Sequence, residues 1–177
     1  MTPGHSPAQV HVALGSNLGD REAHLRQALN DIADLDGVSA LVCSSLYETA
    51  PMGPQDQPDY LNAVCRFDYR GTARELLGRL QSIERNHGRL ANGRRWGERP
   101  LDLDILLVDR QIIDEADLSV PHPGLSERSF VLWPLAELDE NLSVPGDKCQ
   151  DRTVAQLQQD CPRLGIRQLA GGVLSGE

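Results

Sequence analysis

A strand–helix–strand pattern occurs twice in the first 108 residues, and this repetition restricts the folds that the chain can adopt. In the first half, Val10, Val12 and Leu14 alternate with other residues as in a half-buried strand, and an amphipathic helix follows. In the second half, Thr72 and Glu75 have the spacing of a capping box at the start of a helix. Two such halves commonly interleave, so the pattern predicts a ferredoxin-like, four-stranded antiparallel sheet with two helices on one face. Loops would cover the other face.

The remaining periodicities predict the other elements of one α+β domain. We expect strands and extended pieces over residues 10–14, 38–47, 60–69, 101–108 and 118–121, and helices over 20–37, 72–86, 126–138 and 153–160. The length of 177 residues fits a single domain over 1–177, with a core over about 10–160 and a tail over 161–177. Two long segments, 48–59 and 88–100, lack periodicity. Loops of this length in a small domain are usually functional, so we expect them at the active site.

The charge of the chain is unevenly distributed. The sequence has 26 acidic and 17 basic side chains, a net charge of -9, which argues against nucleic acid or an anionic membrane surface as a partner. Six arginines nevertheless fall between Arg79 and Arg99 with only two acids, so this stretch carries +4. Because the guanidinium group binds phosphate or carboxylate oxygens in pairs, the cluster indicates a compact anionic ligand.

Other features of the whole chain indicate its compartment. The four cysteines are widely spaced and contain no Cys-x-x-Cys pair, which disfavours a zinc ribbon or a thioredoxin-type site. The first residues resemble neither a signal peptide nor a membrane anchor. We therefore expect a cytoplasmic protein. The further expectations are a monomer, small-molecule substrates, and no nucleic-acid or membrane partner.

Two aspartates begin the most hydrophobic predicted strand. In an extended chain, Asp102 and Asp104 point to the same side with their Cα atoms roughly 6.5–7 Å apart, while Leu103, Ile105 and Leu107 take the opposite, core-facing side. Two adjacent carboxylates repel each other, so a positive group should lie between them. Mg²⁺ would meet that need, because it prefers oxygen ligands and shares its shell with phosphates. Ion pairs with neighbouring arginines at a solvent-facing strand edge would also meet it.

The loop before this strand favours a nucleotide site. It contains four arginines and a tryptophan: Arg89, Arg94, Arg95, Arg99 and Trp96. Arginines for phosphate oxygens, aspartates for a metal and an indole for stacking suit a nucleoside triphosphate with bound Mg²⁺. A core position for the tryptophan and simple solvation by the arginines are the alternatives. The one lysine, Lys148, cannot supply a phosphate-loop motif, which excludes a P-loop kinase.

Four sequence blocks resemble one enzyme family. ALGSNLG (13–19), YETAPMGPQDQPDYLN (47–62), RWGERPLDLDI (95–105) and VPHPGLSERSF (120–130) are similar to 6-hydroxymethyl-7,8-dihydropterin pyrophosphokinases of folate biosynthesis. The resemblance covers about residues 10–160. It implies an α/β/α variant of the ferredoxin-like sandwich with a mainly antiparallel sheet. It also implies transfer of the terminal diphosphate of ATP, the co-substrate, to the hydroxymethyl group of a reduced pterin, with release of AMP.

The resemblance also implies roles for individual residues. Asp102 and Asp104 would hold two Mg²⁺ ions and, with Arg89 and Arg99, form the catalytic set. The other nucleotide-binding positions would be Gln81, Glu84, Trp96, Ile105, Ser119, His122 and Arg128. The pterin would bind at Gly15, Thr49, Ala50, Met52, Tyr60, Asn62, Trp96 and Phe130, with Tyr60 and Phe130 on the two faces of its ring.

Three departures from the family pattern leave alternatives open. Ala91 and Glu98 stand where relatives often have arginine and proline, and Pro123 follows the histidine where an aromatic residue is common. A nucleotide-binding homologue with weakened catalysis is compatible with these changes. An RNA-binding module on an open sheet face is a second alternative, but the aromatic content of 4% and the acidic strand ends argue against it.

Overall fold

An antiparallel sheet of six strands forms the centre of the computed structural model, which describes residues 6–51, 53, 55–88, 100–163 and 165–173. The strands in chain order are β1 (Ala8–Ser16), β2 (Val38–Cys43), β3 (Ser45–Thr49), β4 (Tyr60–Tyr69), β5 (Asp102–Val108), β6 (Ile113–Glu115), β7 (Leu118–Val120) and β8 (Ile166–Val173). The sheet order is β5-β1-β4-β3-β8, and β2 also pairs with β4. β6 and β7 form a separate hairpin.

Helices cover both faces of this sheet. They are α1 (Arg21–Ala33), α2 (Ala73–Asn86), α3 (Ser129–Asp139) and α4 (Val154–Gln159). Leu25, Leu29 and Leu76 from α1 and α2 belong to the hydrophobic cluster on the first face, and Leu132 and Leu157 from α3 and α4 belong to the cluster on the second face. The α/β/α sandwich is therefore confirmed. The expectation that loops cover the second face is wrong, because apolar side chains of α3 and α4 pack against it.

The helix starts follow the predicted capping chemistry. The carboxylate of Asp20 accepts a hydrogen bond from the backbone N–H of Ala23 at the start of α1. At α2, the Thr72 hydroxyl accepts from the Glu75 N–H, and the Glu75 carboxylate accepts from the Thr72 N–H. These bonds satisfy backbone donors that have no partner inside the helix.

One strand prediction needs correction, and one further strand was not predicted. The expected strand over 38–47 is interrupted at Ser44, whose hydroxyl accepts a hydrogen bond from the Val64 N–H and donates to the Ser45 carbonyl oxygen, so that β2 and β3 are separate strands. The segment expected as a tail contains β8, which pairs with β3 at the sheet edge. Among the described residues, no helix is both long and apolar enough to cross a bilayer.

A bulge in β5 changes the predicted alternation of faces. Val12 is opposite Ile105 and His11 is opposite Leu107, so Leu106 is an extra residue in the ladder. Leu103 and Ile105 belong to the first-face cluster as expected, but Leu107 packs with Leu106 in the second-face cluster. The expectation that Leu107 shares a face with Leu103 is therefore wrong.

His11 is a buried histidine in the middle of this sheet. It is 2% exposed, and neither ring nitrogen has a hydrogen-bond partner within the part of the chain that the structure describes. Burial, with a further contribution from the positive charge of Arg66, lowers the pKa of His11 from 6.5 to about 4. The imidazole is therefore neutral in the folded protein at pH 7.

This burial predicts a loss of stability in mild acid. Because the pKa of His11 is lower in the folded than in the unfolded chain, the unfolded chain binds more protons between pH 6.5 and pH 4. The contribution of His11 is complete above pH 6.5 and is lost as the pH falls towards 4, by about 2–3 kcal/mol between pH 7 and pH 4.5. Urea unfolding of wild type and His11→Leu at both pH values should give a smaller loss in the variant. Equal losses would contradict the assignment.

Candidate active site

A cavity of about 240 Å³ opens on the second face of the sheet, where β1 ends and β4 and β5 begin. Gly15 in β1 pairs with Asn62 in β4 on one side and with Asp102 in β5 on the other. Residues of three adjacent strands therefore form the base of the cavity. The start of α3 and the segment before it complete the lining. Ten predicted site residues line this cavity: Gly15, Thr49, Ala50, Tyr60, Asn62, Asp102, Asp104, His122, Arg128 and Phe130.

One end of the cavity suits a flat, polar heterocycle. The side-chain amide of Asn62 donates a hydrogen bond of 2.8 Å to the Thr49 hydroxyl, and this buried bond orients the amide. A Cβ atom on Gly15 would lie 3.1 Å from the Asn62 amide oxygen and 3.6 Å from Cδ1 of Tyr60. Because Gly15 has no side chain, a ligand can approach the Tyr60 ring and the Asn62 amide oxygen from this side of the cavity.

Two carboxylates line the opposite side of the cavity. Asp102 lies opposite Gly15 and Asp104 lies opposite Ala13 in the pairing of β5 with β1, and both side chains are partly exposed. The side chains of Leu103 and Ile105 point to the opposite side of β5 and pack in the hydrophobic cluster of the first face. Two carboxylates that face a cavity fit Mg²⁺, which commonly binds one or two protein carboxylates and completes its shell with phosphates and water. Within the described ranges, no group of three or more His, Cys, Asp or Glu side chains is placed to hold a metal ion.

His122 is held beside the carboxylates in a defined tautomer. Its backbone N–H donates to the Leu106 carbonyl oxygen, and its Nδ1 atom accepts a hydrogen bond of 3.0 Å from the Gly124 N–H. Burial, assisted by the positive charge of Arg128, lowers the pKa of His122 to about 4. The neutral ring therefore carries its proton on Nε2, which lies 4.0 Å from Oδ2 of Asp104. It can donate a hydrogen bond to an anionic ligand in the cavity.

Arg128 connects the two sides of the cavity. Its Cζ atom lies 5.8 Å from the centre of the Phe130 ring, within the range of a cation–π interaction. A Cβ atom on Gly124 would lie only 2.5 Å from Arg128 Nε and 2.8 Å from Cζ, so the guanidinium group packs directly over this glycine. No sequence pattern indicates this role of Gly124, because it depends on the path of the Arg128 side chain.

Other predicted residues do not line the cavity. Ile105 is buried in the first-face core, Gln81 and Glu84 belong to α2, and Ser119 lies in β7 opposite Asp114. Their predicted contacts with the nucleotide stay predictions. The predicted positions Met52, Arg89, Trp96 and Arg99 lie outside the described residues.

Comparisons with known proteins agree with the fold and the cavity. The sequence profile of the family described as 7,8-dihydro-6-hydroxymethylpterin-pyrophosphokinase (HPPK) matches residues 11–140. The 2-amino-4-hydroxy-6-hydroxymethyldihydropteridine pyrophosphokinase of Haemophilus influenzae is 42% identical over 83% of this chain and 91% of its own length. The enzyme of the same name from Pseudomonas aeruginosa is 40% identical over 92% of this chain and 98% of its own length.

Solved structures extend the similarity to the fold. A Plasmodium falciparum HPPK-DHPS triple mutant matches 90% of this chain with a TM-score of 0.68 and 12% sequence identity. The present chain covers 44% of that longer protein. The profile match and the bacterial relatives together show that the chain belongs to the 7,8-dihydro-6-hydroxymethylpterin-pyrophosphokinase family.

Proposed function

We propose that this protein transfers diphosphate from ATP to the hydroxymethyl group of 6-hydroxymethyl-7,8-dihydropterin in folate biosynthesis. The products are AMP and the pterin diphosphate. Family membership supports this reaction. The observation that carries the proposal is the cavity, in which the Asn62–Thr49 pair and the carboxylates of Asp102 and Asp104 face the same space. One cavity thus provides groups for a flat heterocycle and for a metal-bound polyphosphate.

The pterin binds at the side of the cavity formed by β1, β3 and β4. The Asn62 amide oxygen accepts hydrogen bonds from the edge of the ring, while Tyr60 and Phe130 provide aromatic surfaces. The Asn62–Thr49 bond fixes the amide before the substrate arrives, which lowers the entropy lost on binding. The hydroxymethyl group is thereby directed towards the side that carries the carboxylates.

The triphosphate binds at the side formed by β5 and the start of α3. Asp102 and Asp104 would hold two Mg²⁺ ions, which when bound neutralise phosphate oxygens and stabilise the charge of the transition state. The Arg128 guanidinium group and the neutral His122 ring bind phosphate oxygens through N–H donors. Arg89 and Arg99 are the further phosphate ligands that the family resemblance predicts.

Catalysis depends on positioning and charge more than on a protein acid or base. In the site without ligands, burial lowers the pKa of His122 to about 4, so the neutral ring can donate a hydrogen bond from Nε2. Phosphoryl transfer makes little demand on acid–base groups, because the main requirement is alignment of the attacking hydroxyl with the phosphorus atom. The expected monomeric state and cytoplasmic location stay predictions.

The nucleotide product tests this proposal. The protein is incubated with ATP, Mg²⁺ and 6-hydroxymethyl-7,8-dihydropterin, and the nucleotides are separated by chromatography. We expect AMP that forms only when the pterin is present, together with an equal amount of the pterin diphosphate. Pterin-dependent ADP would indicate an ordinary kinase, and the absence of a pterin-dependent product would favour a binding role.

A further inference from the structure

The segment over residues 50–59 joins β3 to β4 and supplies part of the pterin side of the cavity. Ala50 and Gly53 line the cavity from this segment, and Tyr60 follows it. The segment has three prolines, and its described residues (50, 51, 53 and 55–59) belong to no helix or strand. Inside the segment, the Gln55 side-chain amide donates to the carbonyl oxygens of Pro51 and Gly53. Contacts with other parts of the chain hold its ends.

A single guanidinium group joins the two ends of this segment. Arg21, the first residue of α1, donates from Nη2 to Oε2 of Glu48 at 2.9 Å. It also donates from Nη1 to the backbone carbonyl oxygen of Asp59 at 3.0 Å. Asp59 is the last residue of the segment and Glu48 lies two residues before its first, so Arg21 bridges its beginning and its end.

Glu48 is itself held in place by a second arginine. Its Oε1 atom accepts a hydrogen bond of 2.7 Å from Arg167 in β8. Hydrogen bonds from Arg167 and Arg21 hold the pKa of Glu48 below its ordinary value, so the carboxylate is charged at neutral pH. The side chains of Arg21 and Glu48 are 30% and 22% exposed, less than the 52% and 55% of the surface pair Arg26–Glu22.

Arg21 contacts Glu48 and Asp59, and the residue that follows each of them lines the cavity. Glu48 precedes Thr49, which orients Asn62, and Asp59 precedes Tyr60. The neighbouring β1–α1 connection holds the same segment, because the Asn17 amide donates to Oε1 of Gln57 at 2.9 Å and to the Pro58 carbonyl oxygen at 3.1 Å. The start of α1 thus supports the pterin side of the cavity from outside.

We infer that Arg21 is a positioning residue for the pterin: it touches no substrate but holds the 50–59 segment in the form that binds the heterocycle. This inference rests on the proposed function. Without Arg21, the free protein samples other arrangements of the segment, and the apparent affinity for the pterin falls with the fraction of competent molecules. The carboxylates of β5 are on the other side of the cavity, so nucleotide binding and turnover at saturation are retained.

The test compares Arg21→Ala with Arg26→Ala, a matched removal of an arginine from the exposed side of the same helix. Fluorescence titration gives the Kd of the pterin in the presence of a non-hydrolysable ATP analogue, and steady-state assays give KM and kcat. We expect Arg21→Ala to raise the Kd and KM for the pterin about five- to tenfold. The KM for ATP and kcat should stay within about twofold. Arg26→Ala should match wild type in all of these values.

A second variant separates positioning from general destabilisation. Glu48→Gln keeps the shape of the side chain and removes its charge, so it should raise the KM for the pterin in the same way. The double variant Arg21→Ala/Glu48→Gln should lose less than the sum of the two single losses, because both changes remove the same Arg21–Glu48 contact. An unchanged pterin Kd in Arg21→Ala, or equal losses for pterin and ATP, would overturn the inference while leaving the proposed function intact. Failure of wild type to bind the pterin at all would overturn both.

Discussion

The Asp104→Ala variant is expected to form AMP about a thousandfold more slowly than wild type, and Asp102→Ala should have a similar defect. Both carboxylates face the cavity from β5, and a methyl group in place of either one removes a negative charge that would hold Mg²⁺. A metal ion contributes several kcal/mol of transition-state stabilisation, and each 1.36 kcal/mol corresponds to about a tenfold change in rate. Single-turnover measurement of AMP at saturating ATP and pterin would report this loss.

The fold should survive both changes. Neither side chain belongs to a hydrophobic cluster, and both are partly exposed. Thermal unfolding should therefore give a Tm close to that of wild type. Asp114→Ala, which removes an exposed aspartate from β6, is the matched control and should keep full activity. Near wild-type turnover in Asp102→Ala or Asp104→Ala would rule out the assignment of the metal site.

The second large effect is expected at Asn62. Replacement by leucine keeps a similar volume but removes the acceptor that faces the cavity and leaves the buried Thr49 hydroxyl without its donor. A site built to hydrogen-bond a polar ring loses about 1–3 kcal/mol for each such group, so kcat/KM for the pterin should fall about 100-fold. The KM for ATP should change little, because Asn62 and the carboxylates lie on different sides of the cavity. Steady-state kinetics with each substrate varied in turn would measure both values.

A graded pair of variants controls for damage to the fold. Thr49→Val removes only the hydroxyl that orients Asn62, so its loss in kcat/KM should be smaller than that of Asn62→Leu. Equal Tm values would show that both variants are folded. Parallel losses for ATP and the pterin, or an Asn62→Leu variant as active as wild type, would be incompatible with a pterin site at this position.

The local elements of the fold could be predicted from the sequence because their causes are local. The alternation of Val10, Val12 and Leu14 predicts a strand, and the Thr72–Glu75 spacing predicts a helix start; both are confirmed. The bulge at Leu106 and the position of β8 could not be predicted in this way. They depend on pairing with strands that are distant in the sequence, and a register shift has no local signal.

The cavity likewise has some residues that a local sequence pattern predicts and others that only the folded structure reveals. The pair Asp102 and Asp104 stands out in the sequence because two carboxylates have no structural reason to begin a hydrophobic strand. Arg21 and Gly124 have no such pattern around them. The role of Arg21 appears only when α1 lies beside residues 48 and 59, and that of Gly124 only when the Arg128 side chain crosses it. Supporting contacts between distant segments are visible only in the folded chain.

The most direct measurement of the central claim is a crystal structure with Mn²⁺, an ATP analogue that cannot be cleaved between its α and β phosphates, and the pterin. Mn²⁺ replaces Mg²⁺ and can be located by its anomalous scattering. The account predicts anomalous peaks about 2.1 Å from carboxylate oxygens of Asp102 and Asp104, with the pterin edge at Asn62 in the same cavity. Metal peaks away from both aspartates, or a pterin bound outside this cavity, would contradict it.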